Sequence, residues 1–124
     1  MSNLRARLAA FRYAFQGLEY LFRSQPNARI HAVATAGVVA LGLWLHLSLT
    51  AWALLVLAMG LVWSAEALNT AIEAAVDLAS PAIHPRAKAA KDVAAAGVLL
   101  AAVAAAVVGV LVLGPPFWQR LSSP

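Results

Sequence analysis

Through residues 4–23, "LRARLAAFRYAFQGLEYLFR", apolar positions recur every three or four residues: Leu4, Leu8, Phe11, Phe15, Leu18 and Phe22. At about 100° per residue they fall on one helical stripe, while Arg5, Arg12, Gln16, Glu19 and Arg23 gather to one side. This pattern predicts an amphipathic helix able to lie on a membrane surface with its apolar face down. The segment "SQPNA" (24–28) breaks the rhythm, and Pro26 is expected to end or kink the helix there. Beyond it, periodicity gives way to nearly continuous apolar sequence. Residues 30–49 are apolar except for His31, Thr35, His46 and Ser48. Residues 51–79 form a second such stretch, with its acids toward the end, and residues 93–113 a third that carries no charge. Each is long enough for a transmembrane helix. "SPAIHPRAKAAKD" (80–92) reads as a polar loop between the second and third spans, and Pro115 and Pro116 as the close of the third. The third span is rich in alanine and glycine, which predicts close helix–helix contact. The expected fold is therefore an all-α membrane protein: a surface helix and three transmembrane helices in one domain spanning residues 1–124.

Composition sharpens this picture. The chain is 63% hydrophobic and 11% charged, with a mean hydropathy of +0.80. Basic residues outnumber acidic ones nine to five. With so apolar a chain, that excess points to a bilayer rather than to nucleic acid. The absence of cysteine excludes disulfides, thiolate metal sites and thiol catalysis. The arginine-studded first thirty residues do not read as a secretory leader. Arginines 5, 7, 12, 23 and 29 precede or open the first span, and Arg86, Lys88 and Lys91 lie between the second and third. The connection between the first two spans has no charge, and only Arg120 follows the third. The positive-inside rule then predicts a cytoplasmic N-terminus, with Trp44, Trp52 and Trp118 at the outer interface.

Four of the few polar residues form a pattern. Glu66, Asn69, Glu73 and Asp77 are spaced three, four and four, at bearings of roughly 0°, 300°, 340° and 20° around a helix. They make one polar stripe about three turns long, in sequence where a charge at the bilayer centre costs about 2.5–3.5 kcal/mol. Lys91 and Asp92 begin the third span at a similar depth. Carboxylates facing a lysine suit a hard cation with phosphate, because oxygen ligands hold magnesium and lysine neutralises phosphate oxygens. A carboxylate beside a hydroxyl can also take its proton. Interhelical glue would account for Asn69 alone. A proton path would have to continue across the bilayer, yet residues 31–63 and 93–113 contain no carboxylate or lysine. An ion-translocating or structural membrane subunit is nonetheless the alternative from another class. Glycine-rich nucleotide signatures are missing, and His31, His46 and His84 are not at metal-ligand spacing, so each reads as structural.

"EALNTAIEAAVD" (66–77) followed by "AKD" (90–92) resembles the prokaryotic integral-membrane diacylglycerol kinase family, which includes undecaprenol kinases. "FRYAFQGLEYLFRSQPNARIH" (11–31) resembles its N-terminal region, so the likeness covers most of the chain. The resemblance implies ATP- and magnesium-dependent phosphorylation of a membrane lipid hydroxyl in the bacterial inner membrane. Diacylglycerol is the expected acceptor and undecaprenol the alternative, since "NARIH" is similar to the undecaprenol-directed branch. It also implies a homotrimer with active sites shared between neighbours. Matched residue by residue, Glu66 resembles the catalytic base and Asn69 its neighbour in the site. Glu73 matches a metal and nucleotide ligand, and Asp77 continues the stripe. Lys91 and Asp92 match nucleotide-contacting positions, and Tyr13 and His84 fall where the family contacts ATP. One departure stands out: several members carry a glutamate metal ligand where this chain has Gln25.

Overall fold

The computed structural model of the chain describes residues 2–123, with side chains from residue 5 onward. Four helices make up the architecture: α1 (Ser2–Ser24), α2 (Pro26–Trp44), α3 (Leu49–Ala79) and α4 (Pro85–Ser122). The periodic N-terminal segment is helical as expected, and Leu8, Phe11 and Phe15 remain exposed along it. The Leu4 side chain lies outside the described residues. Leu21, off the anticipated stripe, is buried where α1 meets the next helix.

Pro26 starts a helix here rather than merely ending one. Gln25 is the single extended residue between α1 and α2, at φ −111° and ψ 113°, and its N–H closes α1 on the Leu21 carbonyl at 3.0 Å. Proline disfavours helical geometry in the residue before it and suits the first helical position, where its missing N–H costs nothing. The result is a sharp elbow with Ala28 fully buried inside it.

α2 stops at Trp44, short of the anticipated residue 49. Leu45–Ser48 form the reversal, with His46 in the left-handed region at φ 53°, and the Ser48 hydroxyl accepts the Ala51 N–H at 3.2 Å to cap α3. Gly42 is required at this corner, since a Cβ there would come within 2.8 Å of the Trp52 ring.

α3 and α4 are long and apolar enough to cross a membrane, whereas α2, which opens on the polar "PNARIH", falls short of the same measure. Their 31 and 38 residues give lengths of about 46 and 57 Å at 1.5 Å per residue, more than the roughly 30 Å of a hydrocarbon core. α4 corrects the expected boundaries at both ends. It begins at Pro85, so most of the anticipated polar loop is helix, and it runs through Pro115 and Pro116 to Ser122.

α3 and α4 pack against each other far more extensively than any other pair, as the small residues of α4 anticipate. Leu45, Leu55 and Leu113 form the buried cluster near the α2–α3 corner, backed by Trp52 and Met59. α2 leans on this hairpin more loosely. Between α2, α3 and α4 runs an apolar groove of about 570 Å³, lined by Val38, Met59, Ala102, Ala105 and Gly109, with His31 and Thr35 toward one end.

Candidate active site

The polar stripe lies on α3 as its spacing requires, and burial falls steadily along it. Glu66 is fully buried, Asn69 nearly so, Glu73 is half-buried, and the Asp77 side chain is 65% exposed. The eleven steps from Glu66 to Asp77 cover roughly 16 Å of helix, so one face passes from a buried interior to an open surface. Thr70, absent from the sequence-based set, is buried behind it and donates its hydroxyl to the Glu66 carbonyl at 2.8 Å. Such a bond to the preceding turn spares the hydroxyl an unsatisfied burial.

Glu73 is held from two sides. Asn69 Nδ2 donates to its Oε1 at 3.0 Å, and Gln25 Nε2, from the α1–α2 elbow, donates to its Oε2 at 3.0 Å. Gln25 thus bonds a side chain of the stripe rather than loop backbone. At the deep end, His31 Nε2 lies 3.8 Å from Glu66 Oε2. His31 Nε2, both Glu66 carboxylate oxygens and Asn69 Oδ1 are buried and find no hydrogen-bond partner among the described residues. Buried polar atoms without partners are uncommon in folded proteins, which singles out this end of the stripe as a candidate site.

At the open end, Lys91 Nζ donates to Asp77 Oδ1 at 2.8 Å. Lys91 precedes the apolar stretch of α4, and this hydrogen bond favours its charged form, raising its pKa above the ordinary lysine value. Asp92 does not join that pair; it turns to Lys88 on its own helix, a lysine that the sequence did not single out as a candidate. A second cavity of about 350 Å³ gathers Asp77, His84, Lys88, Lys91 and Asp92 at the α3–α4 connection. His84 also caps α4, its Nδ1 accepting the Arg86 N–H at 3.1 Å. Tyr13 stands apart, exposed on α1 with Arg12 over its ring.

Among the described residues no three His, Cys, Asp or Glu side chains cluster to cage a metal. The donors present still fit magnesium, which is commonly held by one or two carboxylates together with waters and substrate phosphates. Glu73 could supply the carboxylate, and Asn69, whose amide nitrogen bonds it, carries an unpartnered Oδ1 as a further hard oxygen.

The stripe thus runs from a buried carboxylate, 3.8 Å from the groove residue His31, to a polar cavity where Lys88 and Lys91 are paired with Asp92 and Asp77. Residues 12–113 match the prokaryotic diacylglycerol kinase family. A diacylglycerol kinase of Synechocystis sp. is 47% identical over 110 residues, 88% of this chain and 63% of that protein's length. The undecaprenol kinase of Bacillus subtilis is 40% identical over 86% of each chain. The diacylglycerol kinase of Escherichia coli is 31% identical over 85% of this chain and 86% of its own. The chain belongs to the prokaryotic diacylglycerol kinase family, a family of membrane lipid kinases.

Proposed function

We propose that the protein phosphorylates the free hydroxyl of diacylglycerol with ATP, at the cytoplasmic face of the bacterial inner membrane, giving phosphatidic acid and ADP. The observation that carries this reading is the single polar stripe on α3, which runs from beside an apolar groove to a polar cavity. At its buried end Glu66 lies 3.8 Å from His31, which lines the apolar groove, and at its exposed end Asp77 lines the polar cavity together with Lys91.

Glu66 acts as general base. As the lipid hydroxyl oxygen bonds to the γ-phosphorus, its proton passes to a free Glu66 oxygen, and the bond from phosphorus to the bridging oxygen breaks to release ADP. Lys91 neutralises phosphate oxygens, with Lys88, Asp92 and His84 around the nucleotide. Glu73 and Asn69 would hold magnesium, whose chemistry there is to offset charge on the triphosphate. Because phosphoryl transfer depends chiefly on positioning and charge stabilisation, the rigid helical stripe suits the task. Three spans with α1 on the membrane surface, and a homotrimer sharing its sites, complete the reading. The exposed phenylalanines of α1 and the open groove in one copy support both.

Undecaprenol is the second reading, favoured by the likeness to the Bacillus subtilis enzyme over 86% of each chain. Purified protein in lipid, given γ-labelled ATP with diacylglycerol, undecaprenol or ceramide, decides among the acceptors. Preferential labelling of diacylglycerol is expected. Transfer to none of the three would overturn the proposal.

A further inference from the structure

The histidine at the head of the groove is the strongest feature left unused by this mechanism. His31 lies one turn and a half into α2, and its side chain is only 17% exposed. Its surroundings are built rather than incidental. The Trp63 ring meets the imidazole edge-on, with centroids 6.3 Å apart and planes at 71°. Trp63 is itself fixed: its Nε1 donates to Thr35 Oγ1 at 3.1 Å, and Phe22 packs on it at 5.2 Å. Thr35 stands one turn beyond His31 and Trp63 one turn before Glu66, so in this antiparallel pair the brace ties the two helices together one turn away from the contact.

Among the described residues, His31 is the one basic side chain within 4 Å of Glu66. At 3.8 Å, Nε2 and Oε2 lie beyond hydrogen-bond range, and both are buried with no other partner. Catalytic hydrogen bonds are often long before substrate binds and tighten in the reactive complex. A neutral imidazole has one N–H to give. Donated to Oε2, it leaves Oε1 as the carboxylate oxygen free to meet an incoming hydroxyl.

We propose that His31 is a positioning residue for this reaction, orienting the Glu66 carboxylate toward the lipid hydroxyl at the end of the groove. The inference rests on Glu66 being the base. It predicts that the imidazole matters for turnover with every lipid acceptor and leaves nucleotide binding alone.

The test compares His31→Leu, His31→Gln, Glu66→Gln and the double variant His31→Leu/Glu66→Gln in lipid vesicles. ATP binding by calorimetry and both steady-state constants are measured for each. His31→Leu should lower kcat by about ten- to a hundredfold, the usual cost of losing a group that orients a reactive ligand, with the ATP KM unchanged. His31→Gln, which keeps an N–H donor, should recover most of that loss. The double variant should be no slower than Glu66→Gln alone, because residues acting as a unit are not additive. Several outcomes overturn the proposal: equal rates for His31→Leu and wild type, no recovery in His31→Gln, additive losses, or loss of ATP binding in the His31 variants, which would mark a purely structural role. If Glu66→Gln keeps wild-type turnover, the base assignment itself falls, and the role of His31 with it.

Discussion

Replacing Gln25 by glutamate tests directly the proposed binding of magnesium at Glu73. In the present arrangement the Gln25 amide donates to Glu73 Oε2 at 3.0 Å, a hydrogen bond to a charged acceptor worth roughly 1.5–3 kcal/mol. Gln25→Glu removes that donor and sets two carboxylate oxygens against each other at a similar distance. At 3.0 Å their repulsion is about 1.4 kcal/mol with the dielectric of water and about 5.5 kcal/mol at an effective value near 20. Both side chains are partly exposed, so the lower figure is the sounder one. A divalent cation between the two carboxylates relieves this repulsion and gains a charged ligand, which favours the metal-bound state by at least that amount. Each 1.4 kcal/mol is about a factor of ten in an equilibrium constant. The free magnesium giving half-maximal transfer at fixed ATP should therefore fall about tenfold. The assay is a magnesium titration of both proteins with ATP and lipid held constant. Superimposable curves, or a higher requirement in the variant, would refute the placing of a cation at Glu73.

Three other outcomes are expected. Glu66→Gln should keep the fold and bind ATP while losing about 10²–10⁴-fold in turnover, read by transfer assay beside calorimetry. Lys91→Ala, which breaks the 2.8 Å contact with Asp77 and removes a phosphate partner, should raise the ATP KM about tenfold or more; a change confined to the lipid constant would contradict this. Spin labels at positions 8, 11 and 15 should report lipid and those at 5, 12 and 19 water, and six identical signals would rule out a surface helix.

Periodicity alone located the stripe on α3 and the helix of α1, because both are written in steps of three and four. Helix ends were less legible. Pro26 reads equally as a stop or a start, and what decides is the extended Gln25, closed on Leu21. In the first apolar run only Ser48 hints at the corner that turns the chain after Trp44. Residues 85–92 look polar and loop-like, yet alanine, lysine and arginine are good helix formers, and His84 provides the cap. Pro115 and Pro116 fail to end α4, as prolines do in apolar helices where neighbouring groups can meet the freed carbonyls. The pairing of His31 with Glu66, and of Gln25 with Glu73, joins distant parts of the sequence. No local pattern announces such contacts; only the elbow that folds α1 and α2 against α3 creates them. Glu66 and Lys91, by contrast, stand out as candidates from residue type and spacing, and the structure pairs Lys91 with Asp77 while turning Asp92 to Lys88.

The gradient of burial along α3 has a kinetic corollary. Under the proposed orientation, one reactant reaches the catalytic carboxylate by lateral diffusion within a two-dimensional film, and the other arrives from bulk solution. Their concentrations are then measured in different units, mole fraction for the acceptor and molarity for the donor. Adding inert phospholipid should slow the enzyme by surface dilution even when the total acceptor in the tube is constant, while diluting the vesicles with buffer at fixed ATP should leave the rate per enzyme unaltered.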